Sequence, residues 1–250
     1  MDTYRSPKTI GYIAIAGLGF GAFFTLLDVL TWLGILIAQE TVVSSMRQGS
    51  AWVLLLTGVG LISFPIRIAT IVVFLVWMYR ANNNLRPLGA SYLEFSPGWA
   101  VGWWFIPLAN LVRPYQAIRE IWCESDPEVT EPVLFSSPSL RVAPPFMAIW
   151  WGCWLVGNIL TNISGRMSSP GNLDLLMPTA IVSILAGVLT IIAAALAAKI
   201  ILGVNEGQEF KAQLVRPIYS SVPPPPSQYE DQIRPDGTND DRGLAQPPQT

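Results

Sequence analysis

The sequence predicts an all-α fold, a polytopic membrane bundle of four transmembrane helices with one short re-entrant or interfacial helical segment and a disordered C-terminal tail. Three observations predict it. Apolar residues make up 51% of the 250-residue chain and charged residues only 13%, with a mean hydropathy of +0.42, which is the profile of a multi-pass membrane protein. The stretches 10–38, 52–78, 145–163 and 175–204 each approach or exceed the ~20 apolar residues that a helix needs to cross about 30 Å of hydrocarbon. Lysines and arginines near the membrane fall on one side of a four-span arrangement. Arg5, Lys8, Arg80, Arg86, Arg113, Arg119, Arg141, Lys199, Lys211 and Arg216 share that side, against Arg47 and Arg166 on the other. Such a bias marks the cytoplasmic face, so both termini are expected in the cytoplasm.

The first span follows Arg5 and Lys8 and is far longer than the apolar core of a signal peptide, with no small-residue cleavage pattern after it, so a retained helix is expected. Gly17, Gly21, Thr25 and Asp28 lie on one of its faces. The second span aligns Gly60, Ser63, Arg67 and Thr70, with Pro65 expected to kink it. The third offers Trp154, Asn158, Thr161 and Asn162, and the last Thr179, Ser183, Ala186, Thr190, Ala194 and Ala197. Helices in lipid associate through small residues and interhelical hydrogen bonds, so these stripes are expected inside the bundle. Asp28 and Arg67 are the deep charges. An unpaired charge at a helix centre costs about 2.5–3.5 kcal/mol on insertion scales, so the two are expected to form an intramembrane ion pair. On that reading Asp28→Asn destabilises the bundle.

Between the second and third spans lies WMYRANNNLRPLGA and then SPGWAVGWWFIPLANLVRPYQAIREIW. Residues 99–112 are too few to cross and contain Pro107, and a full crossing would put most of the positive charge outside. The segment 99–123 is therefore read as re-entrant or interfacial. Its last part, PYQAIREIW, puts Tyr115, Ile118 and Trp122 on one helical face and Gln116, Arg119, Glu120 and Cys123 elsewhere, as a helix lying on the membrane would. The tryptophans read chiefly as an interfacial belt, with Trp103 and Trp104 beside Pro107 as the exception. Residues 1–204 form the membrane domain. Residues 205–250 are rich in proline, including PPPP, and acidic, so they are read as a disordered cytoplasmic tail with an extended proline run.

Chemistry is sparse. The chain has no histidine, which removes the commonest general base and metal ligand. Cys123 and Cys153 have no metal-ligand spacing and read as two separate thiols. No nucleophile–base pair, two-aspartate site or cofactor motif is visible, so no catalytic residue, metal or cofactor is expected and the protein is read as not an enzyme. Net charge of −2 without a basic run gives no footprint for nucleic acid.

The region from the second span to about Val204 resembles the bacterial membrane family called domain of unknown function (DUF) 4328. The likeness rests on Trp77, Arg80, Ala81, Asn84, Leu85, Pro97, Trp99, Trp103, Trp104, Pro107, Asn110, Pro114 and Trp122. The resemblance implies a membrane protein and carries no activity or cofactor with it. The first reading of function is a non-catalytic membrane scaffold or sensor, presenting its 80–144 layer and proline-rich tail to cytoplasmic protein partners. The alternative is a small-solute or ion transporter or channel subunit acting as a homo-oligomer. Asn110, Asn158 and Asn162 would line its polar path.

Overall fold

The computed structural model describes residues 3–38, 44, 51–127, 143–168 and 173–221, with side chains for these except 51–62, 173 and 216–221. The expectations for Arg47, Gly60, Arg141, the Arg216 side chain and the proline run lie outside the described residues. Arg216–Thr250 separates as a unit of its own, of which only the last turns of a helix are described.

The elements are helical, and no strand occurs among the described residues. In chain order they are α1 (Lys8–Ile37), α2 (Ala51–Asn83), α3 (Pro97–Gly102), α4 (Arg113–Ser125), α5 (Pro145–Met167) and α6 (Leu176–Ser221). Lys8–Ile37, Ser63–Asn83, Pro145–Met167 and Leu176–Val215 are long and apolar enough to cross a membrane. Pro65 sits within α2 without interrupting it.

Small residues set the packing. Gly17 of α1 backs onto Thr70 of α2 so closely that a Cβ there would lie 2.6 Å from the threonine Oγ1. Gly21, one turn on, has nothing within 4 Å, so only Gly17 of the pair mediates close approach. On its other side α1 meets α6, where Thr25 and Val29 lie against Gly187. The α5–α6 seam forms at Gly157, with Ala186, Leu189 and Thr190 around it, and at a hydrogen bond between Ser164 and Ser183 of 2.5 Å. The third-span stripe is thereby corrected. Gly157 and Ser164 face the neighbour because only small side chains let the two backbones approach. Asn158, Thr161 and Asn162 are left exposed.

The segment between α2 and α4 doubles back as a hairpin. Ser96 caps α3 by accepting the Trp99 N–H, with Pro97 in the first turn, as helix starts favour. A 3-10 turn at Trp103–Phe105 follows. The chain then reverses at Leu108 (φ 65°, ψ −46°), where the Ala109 N–H donates to the Pro107 carbonyl at 2.8 Å. That is the strained form of γ-turn, in a backbone region that non-glycine residues seldom occupy. The hairpin root is closed by Arg113 Nη1 donating to Glu94 Oε1 at 2.8 Å. Arg113 also lies over the rings of Trp103 and Phe95. Both legs thus begin at one level, and the segment is a hairpin.

Two expectations change at this end of the molecule. α4 does not lie with one face free, because Glu120, Cys123, Glu124 and Ser125 are buried. The cover comes from residues 94–95 and from α6, which does not stop at 204 but runs on to Ser221. Asn205, Gln208 and Lys211, at successive three-residue steps on α6, are all buried, continuing the face of Ile201 and Val204. The polar composition beyond 204 therefore begins as packed helix.

Candidate functional site

Where the N-terminal segment, the end of α2, α4 and the end of α6 meet, polar side chains join in one lattice. Gln208, fully buried, donates to the Ala81 carbonyl at 2.8 Å and to Ser125 Oγ at 3.1 Å, and accepts from Asn84 Nδ2 at 2.9 Å. Asn84 also brackets Arg5, accepting its N–H at 3.1 Å and donating to its carbonyl at 2.8 Å. Trp77 Nε1 donates to Asn205 Oδ1 at 3.0 Å, Lys211 Nζ to the Glu124 carbonyl at 2.9 Å, and Arg80 Nη1 to the Ser6 carbonyl at 3.4 Å. Tyr4 and Ser6 both donate to Glu209, which Lys8 approaches at 3.9 Å. Asn82 in the same layer is fully buried, and neither of its amide atoms has a partner.

Glu120 ties the hairpin root to this lattice, accepting the backbone N–H of Glu94 at 2.6 Å and of Phe95 at 3.2 Å. Burial pushes its pKa up to about 7, aided by the charges of Glu94 and Glu124, while the two N–H donors oppose the rise. Burial, then the hydrogen bond and charge of Glu209, hold the Tyr4 phenol protonated well above its ordinary range.

Most tryptophans are packed rather than spread as a belt. Trp77, Trp150 and Trp151 are buried. Trp104 donates to Met78 Sδ at 3.3 Å and meets Phe74, Trp151 and Trp154 edge-on. Trp151 stacks on Trp154 and donates to the Leu111 carbonyl at 2.9 Å. Edge-to-face pairing adds to what buried area alone contributes. Trp99, 55% exposed and tilted against Trp103, keeps the exposure a belt residue needs. Trp122 covers Gly203, a position where any Cβ would collide with the indole. Leu85 is buried and accepts the Ala90 N–H, and Pro114 is buried in the first turn of α4.

The hairpin tip opens onto a groove of about 430 Å³ lined by Asn110, Leu111, Trp154, Leu155, Asn158, Ile159, Asn162, Ile163 and Arg166. The three residues of the expected polar path thus share one surface. Asn110 Oδ1 is buried without a partner. Asn158 and Asn162 each donate one amide hydrogen to the carbonyl one turn back, at 2.7 and 2.9 Å. Among the described residues no group of three or more His, Cys, Asp or Glu side chains could hold a metal ion.

The deep charges are arranged differently. Arg67 Nη2 donates to Thr25 Oγ1 at 3.4 Å, one turn before Asp28 on α1. Coulombic attraction acts between Arg67 and Asp28. Among the described residues no ion pair within 4.0 Å joins them, and both side chains are exposed.

Among the described residues, four helices long and apolar enough to cross a membrane define a multi-pass membrane protein. The chain belongs to the family Domain of unknown function (DUF4328), whose model matches residues 41–206. That match leaves out α1 and everything beyond the first turn of the lattice on α6. No curated protein and no solved structure matches the chain. Ser125, Asn205 and Gln208 were missed from the sequence, and Lys211 was read only as a positive charge of the cytoplasmic side. For the three on α6 the signal was the three-residue spacing of polar groups continuing an apolar helical face.

Proposed function

We propose that the protein is a non-catalytic membrane scaffold or sensor whose lattice end is presented to cytoplasmic partners. The carrying observation is Gln208, whose three hydrogen bonds tie α2, α4 and α6 into one unit. A layer joined from sequence-distant segments offers a fixed surface, with Arg86 and Tyr92 exposed beside it. The excess of lysine and arginine at this end supports a cytoplasmic location, with both termini on that side of a bacterial inner membrane. The proline-rich tail would extend the reach of that surface.

The test places a photo-reactive residue at Tyr92 in the full-length protein in native membranes, with Phe20 on the lipid face as control. A discrete protein adduct at Tyr92, lost when Gln208→Ala loosens the layer, is the expected result. Adducts with lipid alone at both positions would remove the reading. A reporter after Arg216 should be active only if it is cytoplasmic.

A second reading, a small-solute or ion transporter or channel subunit, is favoured by the unpartnered Asn110 oxygen in the groove. Buried polar atoms without partners are few in native proteins and ask for a reason. Broken segments at membrane depth line transport paths in other folds. Labelling of cysteines at Asn110, Asn158 and Asn162 by a small hydrophilic thiol reagent would support it, and protection of all three would count against it.

A further inference from the structure

The half of α5 beyond the hairpin tip bears a polar stripe that the fold leaves uncovered. Asn158, Asn162 and Arg166 follow one another at four-residue steps and are exposed, although α5 is a membrane-spanning helix. The hairpin turns back at Leu108, and its Asn110 and Leu111 only border the groove that these side chains line without covering them. Each asparagine spends one amide hydrogen on its own helix. This leaves one N–H and the Oδ1 of each facing outward. Lipid tails have neither donor nor acceptor, so the bilayer cannot serve them.

We propose that a second copy of this chain seats against this half of α5, so that Asn158 and Asn162 of the two copies hydrogen-bond each other across a two-fold axis along the membrane normal. Depth argues for an identical partner. Two copies in one bilayer place Asn158 level with Asn158 and Asn162 level with Asn162, whereas an unrelated helix would have to carry polar groups at both depths. The chemistry is self-complementary, since an amide with one free donor and one free acceptor pairs with its own kind, as an isologous contact requires. Among the described residues nothing lies within 4 Å of where the Gly165 Cβ would be, so a neighbouring backbone can come close there. Arg166 lies in the last turn of α5, at the helix end where water and lipid phosphates screen its charge from its counterpart's. The proposal is independent of the scaffold reading, because it concerns the opposite half of the bundle.

The test uses the full-length protein in native membranes, with the parent chain and its own Cys123 and Cys153 as background. Asn158→Cys and Asn162→Cys should each give oxidative cross-linking to twice the monomer mass. Phe20→Cys, on the exposed face of α1, should give none above background. In detergent, the double variant Asn158→Leu with Asn162→Leu should keep its helical content and weaken self-association by about tenfold, the scale of a lost pair of interhelical hydrogen bonds. Equal cross-linking at Phe20, or none at either asparagine, overturns the proposal. So does a leucine double variant that associates as tightly as the parent. Thiols at 158 and 162 that are labelled by hydrophilic reagents but never cross-linked would assign the stripe to a water-filled path instead.

Discussion

The two ends of this bundle handle buried and half-buried polarity in opposite ways. At the lattice end, asparagine, glutamine, serine, lysine and glutamate side chains from four segments bond one another, and many are buried. In the other half, Asn158, Asn162, Asp28 and Arg67 stand exposed on spans that lipid should surround. The difference teaches that polarity at the first end is used up by the fold itself. At the second end it is left available to something outside the single chain. Substitutions should accordingly be costly at the first end and mild within one chain at the second.

The sharpest way to break the comparison is Gln208→Leu. It strips partners from Asn84, Ser125 and the Ala81 carbonyl at once, and leaving several buried groups unsatisfied should cost about 3–5 kcal/mol. Thermal melting in detergent reads this directly, and an unchanged midpoint would show that the lattice carries no stability.

Next comes Glu120. Its pKa in the fold, about 7, lies above the ordinary carboxyl value. Between the two values the folded chain holds a proton that the unfolded chain has released, so stability falls as pH rises through that window and levels off above it. The effect is bounded at about 3 kcal/mol by the size of the shift. Melting from pH 5 to 8 should show it, and Glu120→Gln should flatten the profile.

A smaller effect, up to about 1 kcal/mol, is expected from Arg113→Ala, whose pair with Glu94 is exposed. Limited proteolysis at residues 90–96 should still quicken, because the hairpin root has lost its clasp. The smallest effect is expected from Asp28→Asn, below about 1 kcal/mol, since Arg67 already donates to Thr25. A drop in melting comparable to that of Gln208→Leu would instead mean that the two charges pair directly.

Much of the architecture was legible because membrane spans declare themselves by length and apolarity, and the hairpin by its brevity, Pro107 and the charge bias. The family positions Trp77, Ala81, Asn84 and Leu85 were recognisable, but their purpose was not. Trp77, Ala81 and Asn84 meet α6 or the N-terminal segment, and no local pattern reports a partner more than a hundred residues away, as Trp77 and Asn205 are. The belt reading did not anticipate the burial of Trp150 and Trp151, because a sequence gives the depth of an indole but not its neighbours. The polar face at Asn205 and Gln208 was hidden by composition, which cannot distinguish a helix packed on polar partners from a tail.

The hairpin also fixes an order of assembly. α2 packs on α3 and on α4 as soon as they are made, and the other partners of the hairpin and of α4 come from chain made later. Trp151 reaches the Leu111 carbonyl, and Gly203 and Gln208 receive Trp122 and Ser125. A nascent polypeptide therefore has no finished seat for this loop until its final helix leaves the ribosome. Translation arrested after α5 should leave the Trp122 indole, which packs against Gly203 of α6, more open to aqueous quenchers than it is in the full-length product.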